Sequence, residues 1–319
     1  MIAGLNPRSR VKPTTVFAVG VGALLACSGV SSSASGGWKP REPTFVVFSR
    51  QQSPGSQNHD IYIAAANGSH ERRLTSGRGD ELTPKFSPDG KRIVFRAALD
   101  PGSAPELWIM NRNGGGKRNL TRTPKKTEWS PVWTPDGKHI VFSCASARPN
   151  GVGNDLCSMK PDGSGRHYLL KDPNRSDEYP TFAPSGRSFA YISYDPLGDF
   201  EIWAAKVDGS HRRNLTRSPR ITDEWPAWSP NGSSIAWMRG AHGDIWLMNP
   251  DGSGRRNLTR TPTLSEQFPA WLPDGRLSFV RGDGTREPSY GLWIVRPGVS
   301  RPRQLITHVS GWPDWTTAR

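Results

Sequence analysis

Repetition constrains this chain more than any other feature. The stretch "WIMNRNGGGKRNLTRTP" at residues 108–124 returns almost unchanged as "WLMNPDGSGRRNLTRTP" at residues 246–262. Related stretches begin at Tyr62, Cys157, Trp203 and Trp293, so six units follow one another at steps of 46, 49, 46, 43 and 47 residues. Periods of this size belong to architectures in which each unit is one supersecondary motif that buries its apolar faces against its neighbours.

The unit at residues 226–259 divides into four short strands, at 226–229, 234–238, 244–248 and 255–259, separated by Pro-Asn-Gly, "RGAHG" and "NPDGSG" turns. Pro presets φ, and Asn-Gly or Asp-Gly tolerates φ > 0, so these turn residues recur for backbone reasons alone. Matching turns lie at residues 87–90, 134–137, 183–186 and 272–275. No segment of the body carries a 3.6-residue apolar stripe, and Gly 34, Pro 29 and Trp 13 suit many short strands and tight turns. The strands are apolar on both faces, as in "IVF" at 93–95 and "IWLM" at 245–248, which fits sheets stacked between other sheets. The expectation is an all-β, six-bladed propeller of four-stranded antiparallel blades forming one domain over residues 44–319. The first unit lacks an inner strand, and "GWPDWTT" at 311–317 matches "EWPAWSP" at 224–230. The C-terminal strand therefore completes the first blade and leaves no open edge.

Residues 1–26 have the order of an export signal: Arg8, Arg10 and Lys12 precede an apolar run at 15–26, too short to span a bilayer comfortably, and small residues follow. The junction "LLAC" at 24–27 resembles the lipobox of bacterial lipoproteins. That resemblance implies cleavage before Cys27, lipidation of Cys27 and a flexible tether over residues 27–43; ordinary cleavage near Ala34 is the alternative. A single anchor of this kind holds a soluble domain at a membrane surface. In an oxidising compartment Cys144 and Cys157 can pair, or stand as two buried thiols. Aligning the hairpins puts Cys144 opposite Asp155, so a bond is expected to need a bulge or a shifted register.

The recurring pattern, "P-x-W/F-S-P-D-G-K-x-I-V-F" followed by "D-I-W-x-M-N-x-D-G-S-G-x-R-x-L-T", resembles the propeller repeats of the TolB family and extends over residues 44–317. The resemblance implies the fold. Propellers of this family serve as binding scaffolds, as gates on peptidases and as lyase frameworks, so it implies function less sharply. TolB itself carries an α/β domain ahead of its propeller, whereas about forty residues precede Thr44 in this sequence.

A peptidase of the prolyl-oligopeptidase type needs a G-x-S-x-G elbow on a hydrolase domain, for which the sequence has no room. Propeller lyases resembling oligogalacturonate lyase hold a metal with histidines. Here His70, His167 and His211 fall at solvated turns, His139 beside a second strand, and His59, His242 and His308 on loops of blades one, four and five, which are not all adjacent. No zinc-like Cys/His spacing occurs. Neither a metal nor another cofactor is expected, and the chain is expected not to be an enzyme.

The candidate site lies where each fourth strand hands over to the next inner strand. Three residues before the inner-strand Pro stand Glu81, Glu128, Asp177, Asp223 and Glu266, with Ser310 in the sixth unit. Tyr179, Trp225, Phe268 and Trp312 immediately precede that Pro, Glu224 stands beside Trp225, and Arg122, Arg217 and Arg260 close fourth strands nearby. One reading pairs arginine with acid around the rim and wedges the aromatics between blades. The other forms a channel mouth that takes a cation, a peptide or a sugar. The longer and less regular second-to-third strand loops gather at the same end, where repeat-specific insertions usually bind.

The formal charge of +14 falls to +11 without Arg8, Arg10 and Lys12. Much of it sits in outer-strand doublets, Arg72 and Arg73, Lys117 and Arg118, Arg212 and Arg213, Arg255 and Arg256, whose ordinary role is solvation and whose alternative is attraction to anionic envelope polymers or lipid headgroups. Nucleic acid does not suit an exported protein. The expectation is a monomeric, extracytoplasmic, lipid-anchored binder of an envelope protein or peptide; the alternative is a carbohydrate binder or metal-dependent polysaccharide lyase.

Overall fold

The computed structural model describes residues 39–317 apart from 54–55, 57, 101, 149–150, 242, 284–289 and 300. Cys27, Ala34, the export signal and His242 lie outside the described residues.

Among the described residues, twenty-four strands form six four-stranded antiparallel sheets. Blade one holds β1 (Phe45–Gln51), β2 (His59–Ala65) and β3 (Arg72–Arg73), and blade two β4 (Asp80–Phe86), β5 (Arg92–Ala98), β6 (Glu106–Asn111) and β7 (Arg118–Asn119). Blade three holds β8 (Glu128–Trp133), β9 (Ile140–Arg148), β10 (Gly151–Met159) and β11 (His167–Leu170), and blade four β12 (Ser176–Phe182), β13 (Ser188–Tyr194), β14 (Glu201–Lys206) and β15 (Arg213–Asn214). Blade five holds β16 (Asp223–Trp228), β17 (Ile235–Arg239), β18 (Asp244–Met248) and β19 (Arg256–Asn257), and blade six β20 (Ser265–Trp271), β21 (Leu277–Gly282), β22 (Gly291–Val295) and β23 (Arg303–Thr307). The last strand, β24 (Gly311–Thr316), pairs with β1 from Phe45↔Thr316 to Ser49↔Gly311, so the C-terminal strand closes blade one.

The sheets are apolar on both faces because every face is a core. Val47, Ile61 and Ile63 of blade one pack on Phe86, Ile93 and Phe95 of blade two, and an equivalent cluster fills each of the other blade junctions. Burial of such a layer removes apolar surface from water on both sides of every strand, the dominant favourable term in folding.

Inner strands begin earlier than the turn signals suggest: β16 starts at Asp223, so the acids and aromatics of the candidate site are strand residues and not connections. Outer strands are shorter, with only Arg256–Asn257 paired in β19. Side chains hold the segment that leaves each of three outer strands. Asn119, Asn214 and Asn257 donate Nδ2 to the acids that open the third strands, Glu106, Glu201 and Asp244. The same acids accept the backbone N–H of Thr123, Ser218 and Thr261.

The outer arginines are structural ties as well as surface charge. Arg72 of blade one donates to the carbonyls of Arg112 and Asn113 in blade two, Arg118 to Pro161 and Asp162 in blade three, and Arg213 to Pro250 in blade five. A guanidinium suits this because its fork of donors reaches two carbonyls at once.

Cys144 and Cys157 are bonded, with Cα atoms 5.9 Å apart. Cys144 does face Asp155, but the β9–β10 pairing runs without a bulge or register shift. The bond is diagonal: Cys157 faces Phe142, two residues from Cys144 on the same face of the pair, a distance that side chains span. A register shift on the other side of β10 lies between Leu156 and Cys157, where it meets β11.

Candidate functional site

Each inner strand carries a proline, which cannot donate to a ladder and so sits at a bulge. The register breaks between Leu82 and Lys85, Trp129 and Val132, Glu178 and Thr181, Glu224 and Ala227, and Gln267 and Ala270. The residue before each proline takes a left-handed conformation: Thr83, Ser130, Tyr179, Trp225, Phe268 and Trp312 all have φ between 50° and 53°. This conformation costs a non-glycine residue about 1–3 kcal/mol, and such strain collects at functional sites. All six line the central channel, around a cavity of about 180 Å³.

The ring is lopsided. Tyr179, Trp225, Phe268 and Trp312 come from blades four, five, six and one and form an arc, with ring centroids 6.5, 4.3 and 4.4 Å apart in sequence around it. Blades two and three complete the circle with the small hydroxyl residues Thr83 and Ser130, which no aromatic pattern in the sequence marks. Thr83 Oγ1 is buried without a hydrogen-bond partner among the described residues. Deeper in the channel, Lys85 and Asp314 lie 3.6 Å apart, and Asp314 accepts the Phe86 N–H.

The acids and the aromatics do different things. Glu81, Glu128, Asp177, Asp223 and Glu266 are at most 1% exposed and lie inside the blades, not on the channel wall. Asp223 accepts from Arg239 at 2.9 Å, from Trp237 Nε1 at 2.7 Å and from the Ser218 hydroxyl. Glu266 accepts from Arg281 at 2.9 Å and from Thr259 and Thr261. Glu128 takes Thr123 Oγ1 at 2.7 Å and Arg166 at 2.9 Å. Burial raises each of these carboxyls, partly offset by those donors, and Asp177 is pushed up to about 6. The partners are second-strand arginines and the Arg166 turn; Arg122, Arg217 and Arg260 are not among them. Glu128, Asp223 and Glu266 therefore latch the incoming connection to the next inner strand in blades three, five and six.

Glu224 is different. It is half-buried, makes no hydrogen bond or ion pair among the described residues, and burial together with the neighbouring Glu178 pushes its carboxyl up to about 7. Glu178, the matching residue of blade four, accepts from Asn154 at 2.5 Å and from the Tyr194 hydroxyl at 2.8 Å. No sequence pattern marks Glu178, because only its distance from Glu224 across a blade junction gives it interest.

The histidines are dispersed. His70, His167 and His211 lie at turns or strand starts away from the channel; His59 opens β2 in blade one, bonded through Nδ1 to Asp80 at 2.8 Å; and His308 follows β23, placing it in blade six and not five. Among the described residues, no group of three or more His, Cys, Asp or Glu side chains is placed to hold a metal ion.

A closed ring of six four-stranded sheets around a channel with an aromatic arc defines a β-propeller with a central candidate site. Residues 27–222 match the TolB beta propeller domain, and the chain belongs to that family. A TolB homolog from Chlorobium luteolum is 34% identical over 91 residues, which are 28% of this chain and 19% of that protein. TolB from Acinetobacter baumannii superposes with a TM-score of 0.70 at 18% identity, over 86% of this chain and 66% of its own. Oligogalacturonate lyase from Vibrio parahaemolyticus superposes at 0.54 and 13% identity, over 82% and 79%. These two likenesses establish the fold alone.

Proposed function

We propose that this chain is an exported, TolB-type envelope protein that binds a protein or peptide at the channel mouth and performs no chemistry itself. The observation that carries the reading is the aromatic arc of Tyr179, Trp225, Phe268 and Trp312, held on left-handed backbone beside the unpaired carboxyl of Glu224. Aromatic rings offer large contact area at low entropic cost, and a concave place with few convergent polar groups is where ligands settle. Lipidation at Cys27 would keep the propeller at a membrane surface, and the monomer suffices for the site. The test is a pull-down from envelope extract with the parent, Trp225→Ala and Glu224→Gln. Both variants should melt near the parent and lose at least half of the captured partner; capture unchanged in both would overturn the reading.

A second reading, binding or cleavage of an acidic carbohydrate, draws on the likeness to oligogalacturonate lyase and on the suitability of aromatic faces for sugar rings. A glycan array separates the two, since retention of acidic oligosaccharides that Trp225→Ala abolishes would favour the carbohydrate.

A further inference from the structure

The repeat supplies its own controls, because each blade junction presents equivalent sequence positions with different residues. Between blades two and three, Arg92, Arg118, Lys138, His139 and Lys160 line an open groove of about 500 Å³ on the side of the molecule that carries the Pro-Asp-Gly turns. The equivalent positions between blades four and five are Ser188, Arg213, Ser233, Ser234 and Asn249. Arg118 and Arg213 match in role, each donating to carbonyls of the next blade's turn. The other basic residues have no such structural duty at the second junction, so the fold does not require them.

Arg92, Arg118, Lys138 and Lys160 of the first groove face one lining carboxylate, Asp162. Among the described residues Arg92, Lys138 and Lys160 make no ion pair; Arg92 lies over the Trp133 ring at 4.8 Å, which fixes its guanidinium. Asp162 in the groove and Asp136 beside it attract Lys160, Lys138 and His139 without a direct ion pair, and their oxygens accept hydrogen bonds within their own turns. Asp162 accepts from Ser164 N at 2.8 Å and Oγ at 2.7 Å, and Asp136 from Thr134 Oγ1 at 2.6 Å and Lys138 N at 3.1 Å. The cations outnumber the one lining carboxylate, and an anion with several oxygens engages several of them at once. Planar guanidinium groups match phosphate oxygens in pairs, and lysines add compact charge. A carboxylate, with two oxygens and one charge, engages fewer of these donors.

The geometry points to a phosphate-bearing anion as the ligand of the groove between blades two and three, either as a phospholipid headgroup or as a free phosphate compound. The test uses the purified full-length chain, phosphatidylcholine vesicles with and without phosphatidylglycerol, and inorganic pyrophosphate in a calorimeter. The groove variant Arg92→Ser, Lys138→Ser, Lys160→Asn installs the residues of the other junction. A control, Lys125→Ser, Lys126→Ser, Arg220→Ser, removes the same charge from exposed positions elsewhere. The groove variant should lose about tenfold or more in affinity while the control stays within about twofold of the parent. Loss on phosphatidylglycerol vesicles alone identifies a headgroup, and loss on pyrophosphate identifies a soluble phosphate. If the parent binds neither probe, or the control weakens binding as much as the groove variant, the proposal fails. Should the triple variant melt far below the parent, Lys138→Ser with Lys160→Asn keeps the Trp133 stack and reads out the same groove. Building Ser188→Arg, Ser233→Lys and Asn249→Lys into the other junction should restore binding to the triple variant.

Discussion

Glu81 lies beside Gly77, so close that a Cβ on Gly77 would stand 3.1 Å from its Oε1, yet neither Glu81 oxygen has a hydrogen-bond partner among the described residues. The matching positions in blades three, five and six supply a hydroxyl, from Thr123, Ser218 and Thr261, and blades five and six add Arg239 and Arg281. Blade two has Gly77 and, opposite Glu81, Ala97. Its latch is missing both halves.

The consequence is a pH dependence. Burial, with Asp60 nearby, pushes the Glu81 carboxyl up to about 7 from 4.5. Between those pH values the folded chain holds a proton that the unfolded chain has released, so stability falls as pH rises through this window and the loss is complete above pH 7. At roughly 1.4 kcal/mol per pKa unit, the expected contribution is about 3 kcal/mol. Glu81→Gln should flatten the pH 5–8 profile in urea unfolding and be more stable than the parent at pH 8. A variant profile parallel to the parent's would contradict this.

Where the latch is complete, breaking it should cost stability. Arg239→Ala leaves Asp223 buried without its cation, a type of loss worth about 3–5 kcal/mol. Adding Asp223→Asn should recover part of it, so denaturant midpoints of the two single variants and the double should be non-additive. Simple additivity would show that the pair is not coupled.

The disulfide joins residues 13 apart in sequence, on the longest strands of the molecule. Its removal by Cys144→Ala with Cys157→Ala should cost about 2–3 kcal/mol. Reductant should lower the melting temperature of the parent and leave that of the double variant unchanged.

Deleting residues 311–319 removes β24, exposes the edge of β1 and takes away Trp315, which donates Nε1 to Ser278 of blade six at 2.9 Å. Calorimetry should find no cooperative transition. A truncated chain melting like the parent would refute the closure.

The fold was legible because each repeat states its turns in residues that only turns need, and because the unpaired end at 311–317 has the pattern of an inner strand. The site was legible in part. Trp225 and its counterparts were visible beside their prolines, but the bulge that turns them into the channel is a property of ladder register. The acids were harder to read. Spacing along the chain puts Asp223 two residues from Trp225, while the bulge that holds Trp225 and the Arg239 opposite Asp223 send the two side chains to different places. The groove at Arg92, Lys138 and Lys160 draws on two blades, and neither repeat alone announces it.

The pairing of β24 with β1 also sets an order of events. Phe45 and Thr316 are partners from opposite ends of the propeller, so the ring stays open until β24 is available to pair. Contacts of such sequence separation form late and slowly, and the unfinished ring presents a bare strand edge meanwhile. The blade whose strands are made first is thus the last to be completed, and the propeller remains in a form that can be threaded and chaperoned until β24 joins it.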